Sequence, residues 1–156
     1  MNDYIKGFLT GILFSFLSIQ ASAQHTLSKS FDIRTEGVRP KFTKLFCDSK
    51  GLIWTGTDKG IFTFDGINFS KLSGSDSLAP GIVTAMYEDR SGLIWVGFDN
   101  GKLVKIGGRT ISSYNPQEGF PKSAITAFAE NKSGVLFFAT KGEGVYCIEK
   151  GIMYNI

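Results

Sequence analysis

Histidine is nearly missing from this chain: His25 is the only one among 156 residues. That absence excludes a histidine-based catalytic triad and any cluster of imidazole metal ligands. Cysteine is almost as scarce, with only Cys47 and Cys147. They fall in different repeats of the chain, on strands too far apart for bridging geometry. Both are therefore expected as small, buried, unbridged residues. Charge of one sign is lacking too, since the formal net charge is only +3. Lysine and arginine are scattered and do not interleave with aromatics, so a nucleic-acid partner is not expected.

No apolar run reaches the roughly 20 residues that a membrane span requires. The longest, Gly7–Ile19, has about 13 residues, within the range of a secretory core. Lys6 precedes it, and Ala21-Ser22-Ala23 follows as a small-x-small cleavage signature. We read residues 1–23 as a signal peptide, with an uncleaved anchor as the alternative. The mature chain, residues 24–156, is then exported to the periplasm or secreted, and no membrane span is expected in it. That length suffices for one domain with a real core.

Glycine, by contrast, is plentiful, with 19 residues, and much of it recurs at a fixed interval. Asp48-Ser49-Lys50-Gly51-Leu52-Ile53-Trp54-Thr55-Gly56 returns as Asp89-Arg90-Ser91-Gly92-Leu93-Ile94-Trp95-Val96-Gly97. A worn third copy runs from Asn131 through Gly134 and Phe137 to Ala139. The copies are offset by 41 and then 42 residues, a period that signals a repeat architecture.

Each repeat holds four short apolar runs separated by turn signals, with no room for a helix. The runs are about Phe42–Cys47, Leu52–Thr57, Ile61–Phe64 and Ile67–Lys71 in the first repeat. In the second they are Val83–Glu88, Leu93–Phe98, Lys102–Ile106 and Thr110–Tyr114. In the third they are Ile125–Glu130, Val135–Thr140, Val145–Ile148 and Ile152–Asn155. Asp48, Asp89 and Asn131 open the first turn of each repeat, and Gly51, Gly92 and Gly134 close it. The second turn ends in Gly60, Gly101 and Gly144. The third holds Asp65-Gly66, Gly107-Gly108 and Lys150-Gly151, the chemistry of tight primed turns.

Three hairpins in a row make a four-stranded antiparallel meander, and it occurs three times. Proline-bearing linkers (Pro40, Pro80, then Pro116 and Pro121) join one meander to the next. The expected fold class is all-β: three blades of a β-propeller in an incomplete ring. Their bounds are about residues 41–72, 82–115 and 124–156. A latch-like strand, residues 30–33, precedes them, since Phe31 lies 12 residues before Thr43 as Tyr114 does before Thr126.

The block Asp-x-x-Gly-Leu-Ile-Trp-x-Gly, with Thr57-Asp58-Lys59-Gly60-Ile61 and Asp65-Gly66-Ile67-Asn68-Phe69 after it, resembles the two-component regulator propeller repeat. The resemblance runs from about Phe31 onward and weakens in the third copy, where Phe137 and Ala139 replace Trp and Gly. It implies the periplasmic sensor region of a Bacteroidetes hybrid two-component regulator, followed in that family by a membrane span and a histidine kinase. It also implies an oligosaccharide from a complex glycan as the stimulus. No kinase phospho-acceptor histidine and no nucleotide-binding glycine box occur in these residues, so the chain is expected to be an N-terminal fragment of such a sensor.

Repeated residues are first of all scaffold. Trp54 and Trp95 sit between apolar neighbours in mid-strand, which suits packing of blade against blade better than sugar stacking. Asp48, Asp89 and Asn131 give one acidic or amide group per repeat, too sparse for calcium, so no metal or other cofactor is expected. Glu88 and Glu130 match in position and could face a channel together as a lyase pair, but Cys47 takes that place in the first copy. The chain is read as non-catalytic. Ligand contacts are expected from the second-turn loops, Asp58, Lys59, Asp99, Asn100, Lys141 and Glu143. Arg39, Lys41, Asp76, Glu118 and Lys122 of the linkers would share that face.

Propellers close with about four to eight blades, so three leave faces to cover. The burial forfeited there is comparable with a domain's whole stability, about 5–15 kcal/mol. The partner most firmly expected is more propeller, either further blades of a longer chain or a second copy of this one. A self-assembling or protein-binding propeller without a small ligand is the competing class.

Overall fold

A computed structural model describes residues 33, 39–74, 81–108, 110–114 and 119–156. Every regular element among them is a strand. The first sheet is β1 (Phe42–Cys47), β2 (Ile53–Thr57), β3 (Gly60–Phe64) and β4 (Phe69–Lys71). The second is β5 (Val83–Glu88), β6 (Ile94–Phe98), β7 (Leu103–Gly107) and β8 (Thr110–Tyr114). The third is β9 (Ile125–Glu130), β10 (Leu136–Thr140), β11 (Val145–Glu149) and β12 (Ile152–Asn155). Each is a meander in which every strand pairs antiparallel with the next along the chain. These are propeller blades in an unclosed set of three, as the repeats implied. The leader lies outside the described residues, as does the latch strand apart from Ile33.

The same irregularity recurs in all three sheets. The inner pair slips register at Phe42/Lys44, at Val83/Ala85, and where Ala139 and Thr140 face Ala127 and Ile125. The extra residue is a threonine each time, and its hydroxyl donates to a backbone carbonyl of the neighbouring strand. The pairs are Thr43–Gly56 at 3.0 Å, Thr84–Gly97 at 3.1 Å and Thr126–Ala139 at 3.2 Å. Such a bulge reverses which side of the sheet the following residues face. Val83 thus turns toward the first sheet, while Ala85 and Tyr87 turn toward the third.

Two apolar cores result. Trp54 and Ile61 of the first sheet pack with Val83, Val96, Phe98 and Val104 of the second. Trp95 and Leu103 of the second pack with Ile125, Phe138, Tyr146 and Ile148 of the third. The middle sheet is covered on both sides, so all five residues of β6 are buried. The tryptophans therefore do join blade to blade.

Glycine makes the close approach possible. A Cβ on Gly56 would fall inside the Val83 side chain, and one on Gly97 would lie 2.6 Å from Cβ of Ile125. Each flat glycine receives the β-branched residue that begins the next inner strand.

Three expectations need correction. Cys47 is exposed and Cys147 only half-buried, both as free thiols. Cys47 ends an inner strand at the place where the second and third sheets carry Glu88 and Glu130, a position that points at a turn rather than a core. The third turn of the first sheet is not a tight primed pair either. Phe64 pairs with Phe69 across a four-residue loop, and of Asp65 and Gly66 only the glycine has positive φ. Asp65 instead accepts the N–H groups of Ile67 and Asn68 at 2.8 and 2.7 Å, an arrangement that stabilises the longer loop. Gly107 lies within β7, and the positive φ falls on Gly108. Among the described residues of these turns, Lys150 and Gly151, with φ of 50° and 80°, show the paired positive values of a primed turn.

Candidate functional site

The first turn of each repeat is organised by one side chain. Asp48 Oδ1 accepts the N–H groups of Lys50 and Leu52 at 2.9 Å, and Oδ2 accepts the indole N–H of Trp54 at 2.9 Å. Asp89 repeats this with Ser91 at 2.9 Å, Leu93 at 3.0 Å and Trp95 at 2.7 Å. Asn131 keeps the two backbone bonds, to Ser133 and Val135 at 2.9 Å, with Phe137 in place of the indole. Burial pushes the Asp48 and Asp89 carboxyls up. The opposing hydrogen bonds outweigh it, from both indoles, the Ser91 hydroxyl and the turn N–H groups, and hold both below the usual aspartate value. These carboxylates are saturated by their own sheet.

The two glutamates are each bonded to the sheet before their own. Glu88 accepts Ser49 N–H at 2.6 Å and the Ser49 hydroxyl at 2.7 Å, both from the first turn of the preceding sheet. Glu130 likewise accepts Arg90 N–H at 2.9 Å, while the Arg90 guanidinium donates to the Lys132 carbonyl at 2.8 Å. Each glutamate is a clamp between neighbouring sheets.

The second-turn residues divide by what they hold. Asp58 accepts Lys41 N–H at 2.8 Å, and Asp99 accepts Ile82 N–H at 2.9 Å, each securing the approach to its own inner strand. Both oxygens of Glu143 accept Lys122 N–H at 3.1 Å, and Lys141 N–H donates to the Ala124 carbonyl at 2.9 Å. Asn100 accepts Lys102 N–H at 3.1 Å. Lys59, Arg39 and Lys41 are exposed, while Asp76 and Glu118 lie outside the described residues.

Asn100 and Lys122, two of the ligand candidates expected from the sequence, border a pocket. It measures about 470 Å³ and is lined by Asn100, Gly101, Lys102, Ser113, Tyr114, Phe120, Pro121 and Lys122. It opens where the second turn and outer strand of the second sheet meet the linker to the third. Gly101 brings these parts together: its φ is +81°, and a Cβ there would strike the Pro121 carbonyl. Tyr114 forms a stiff wall, its ring edge-on to Trp95 at 5.7 Å and its hydroxyl donating to the Gly151 carbonyl at 2.7 Å. Burial raises the Tyr114 pKa above the ordinary tyrosine value. The Phe120 ring lies 6.5 Å from it. Tyr114 and Phe120 have no periodic signature that would have singled them out as a wall.

Among the described residues no group of three or more metal-ligating side chains gathers, and no helix is long and apolar enough to cross a membrane. The stacked four-stranded meanders, with a pocket at a linker, define a segment of β-propeller.

Residues 77–100 match the family described as "Two component regulator propeller". The fold is similar to the extracellular domain attributed to hybrid two component system BT3049 of B. thetaiotaomicron, with 23% identity and a TM-score of 0.63. That likeness covers 80% of this chain and 18% of the other. The corresponding domain attributed to BT4673 of the same organism matches with 21% identity and a TM-score of 0.64, covering 82% of this chain and 18% of that one. The chain thus spans less than a fifth of the structures it resembles. No curated protein matches it.

Proposed function

We propose that this chain is a non-catalytic, ligand-sensing segment of a larger periplasmic propeller, and that it takes a glycan-derived oligosaccharide in the pocket between its second sheet and the linker to its third. The pocket carries the reading. Tyr114 and Phe120 line it with aromatic surface suited to the C–H side of a sugar, while Asn100, Ser113, Lys102 and Lys122 bring hydrogen-bonding groups to it. A few convergent polar groups around an apolar wall is the usual make-up of a small-molecule site. The predicted leader and the extracellular origin of the similar domains support an exported location. The test is titration of the chain with oligosaccharides from digested plant and host glycans, followed by calorimetry. Binding abolished in Phe120→Ala but retained in Lys59→Ala supports the reading; no binding to any member sinks it.

The chain's partner is further propeller. On the third sheet, the side turned away from the second presents Ala127, Ala129, Phe137, Ala139, Val145 and Tyr154. The matching residues of the second sheet, Ala85, Trp95 and Leu103 among them, are buried against the third. Ala127, Ala129, Val145 and Tyr154 are exposed instead, Tyr154 at 48%. An apolar sheet face of this kind is normally covered.

A further inference from the structure

We infer that the outer face of the third sheet is built to receive another antiparallel sheet with a definable residue code: glycine where its inner strand begins and glutamate where that strand ends. This rests on the reading that the chain is a segment of a larger propeller. The code follows from continuing the two interfaces already present.

The first element is a clamp. At both existing junctions, the last residue of an inner strand is a glutamate that accepts the N–H of the residue after the turn's Asp in the preceding sheet: Glu88 from Ser49 at 2.6 Å, Glu130 from Arg90 at 2.9 Å. The corresponding residue of the third sheet is Lys132, which follows Asn131 as Ser49 follows Asp48 and Arg90 follows Asp89. The turn itself is formed alike, with Gly134 N–H bonded to the Asn131 carbonyl at 3.2 Å as Gly92 bonds Asp89 at 2.9 Å. A carboxylate at the end of the incoming strand would meet it, and a charge-assisted bond there aligns one sheet on the next.

The second element is steric and reversed. Gly56 and Gly97 are flat, and Val83 and Ile125 rest on them. Ala139 takes that place in the third sheet. The spacing of the two known junctions leaves only 2.5–2.6 Å between a Cβ at the glycine position and the Cβ of the facing residue. Real Cβ atoms do not approach so closely, so at that spacing Ala139 tolerates no Cβ opposite it. The glycine has moved to the other partner.

The chain's own first sheet does not satisfy this code. Its inner strand begins with Phe42 and ends with Cys47 where the code asks for Gly and Glu. The intended occupant is therefore a further sheet of the same repeat class, not a second copy of this chain in the same register.

The test is to append to the complete chain a fourth sheet copied from residues 82–114, preceded by a copy of residues 115–123 as linker. Four versions are compared: the plain copy, the copy with Val83→Gly, the copy with Val83→Gly and Glu88→Ala, and the copy with Glu88→Ala alone. Amide exchange at Lys132 and the thermal midpoint are read for each. The glycine version that keeps glutamate is expected to slow Lys132 exchange at least tenfold and to raise the midpoint above that of the unextended chain. Changing its glutamate to Ala, which removes the acceptor, should restore fast exchange at Lys132. Equal protection by the plain copy would overturn the steric half of the code, and unchanged protection after Glu88→Ala would overturn the clamp. Failure of every version to protect any residue of the third sheet would instead overturn the reading of the chain as a propeller segment.

Discussion

Asp89 and Trp95 are joined by a 2.7 Å bond from the indole N–H to Oδ2, and Asp48 and Trp54 by the same bond at 2.9 Å. Where the third repeat loses the indole, to Phe137, it loses the second carboxylate oxygen as well, to Asn131. The turn needs one side-chain oxygen to hold two backbone N–H groups. The charge is present only where a second donor uses it.

This pairing makes Trp95→Phe costly beyond its lost volume. A carboxylate oxygen would be left without its donor, at a cost of about 1.5–3 kcal/mol. Asp89→Asn added to Trp95→Phe reproduces the third repeat and should recover part of that loss. A double-mutant cycle in urea should show a coupling of about 1 kcal/mol. Strict additivity would contradict the pairing.

The same carboxylates set the acid response. Both have folded pKa values below the usual 3.8. Their stabilisation is complete above the unfolded-state value and is lost as pH falls through the lower folded value. Urea midpoints should therefore be insensitive to Asp48 and Asp89 from pH 7 to 5 and should decline below pH 4. Asp48→Asn with Asp89→Asn should lower the neutral-pH midpoint and flatten that decline. An undiminished acid slope in the double variant would assign the effect to other groups.

Gly97 is held by contact rather than by backbone angle, since the approach of Ile125, with Phe128 beside it, forbids a side chain. Gly97→Ala should cost about 1–3 kcal/mol through overpacking. Ala139→Gly, at the matching site of the third sheet, should cost only about 0.5–1 kcal/mol from chain entropy. Chemical denaturation separates them, and equal losses would mean that the third-sheet position is as closely packed as the second.

The glutamate clamps predict a local effect. Glu130→Gln weakens one exposed charge-assisted bond, so the global cost should be about 1 kcal/mol or less. Exchange of the Arg90 amide should accelerate several-fold while that of Val96, in the covered middle strand, stays unchanged. A uniform acceleration across the second sheet would show that the clamp carries global stability instead.

The elements were legible because their causes are short-range. Asp48 reaches Leu52 four residues on, and Gly51 accepts the positive φ that closes the same turn. Thr43, Thr84 and Thr126 also recur at the repeat period, and they mark the bulge. The site was much less legible. Asn100 and Lys122 were nominated from their loops, but Tyr114 and Phe120 carry no mark that separates a pocket wall from a core aromatic.

Sequence alone determined the strands, their hairpin order and the propeller class, because each rests on turn chemistry and alternation within a few residues. Tertiary structure decided what the side chains are for. Glu88 lies 39 residues from Ser49 and Glu130 lies 40 from Arg90. Whether such pairs meet depends on how closely two sheets can approach, and that distance is set by shape, through Gly56 beneath Val83 and Gly97 beneath Ile125. Periodicity records that a residue recurs, whereas only the packed sheets reveal which recurring residue clamps its neighbour and which one borders open space.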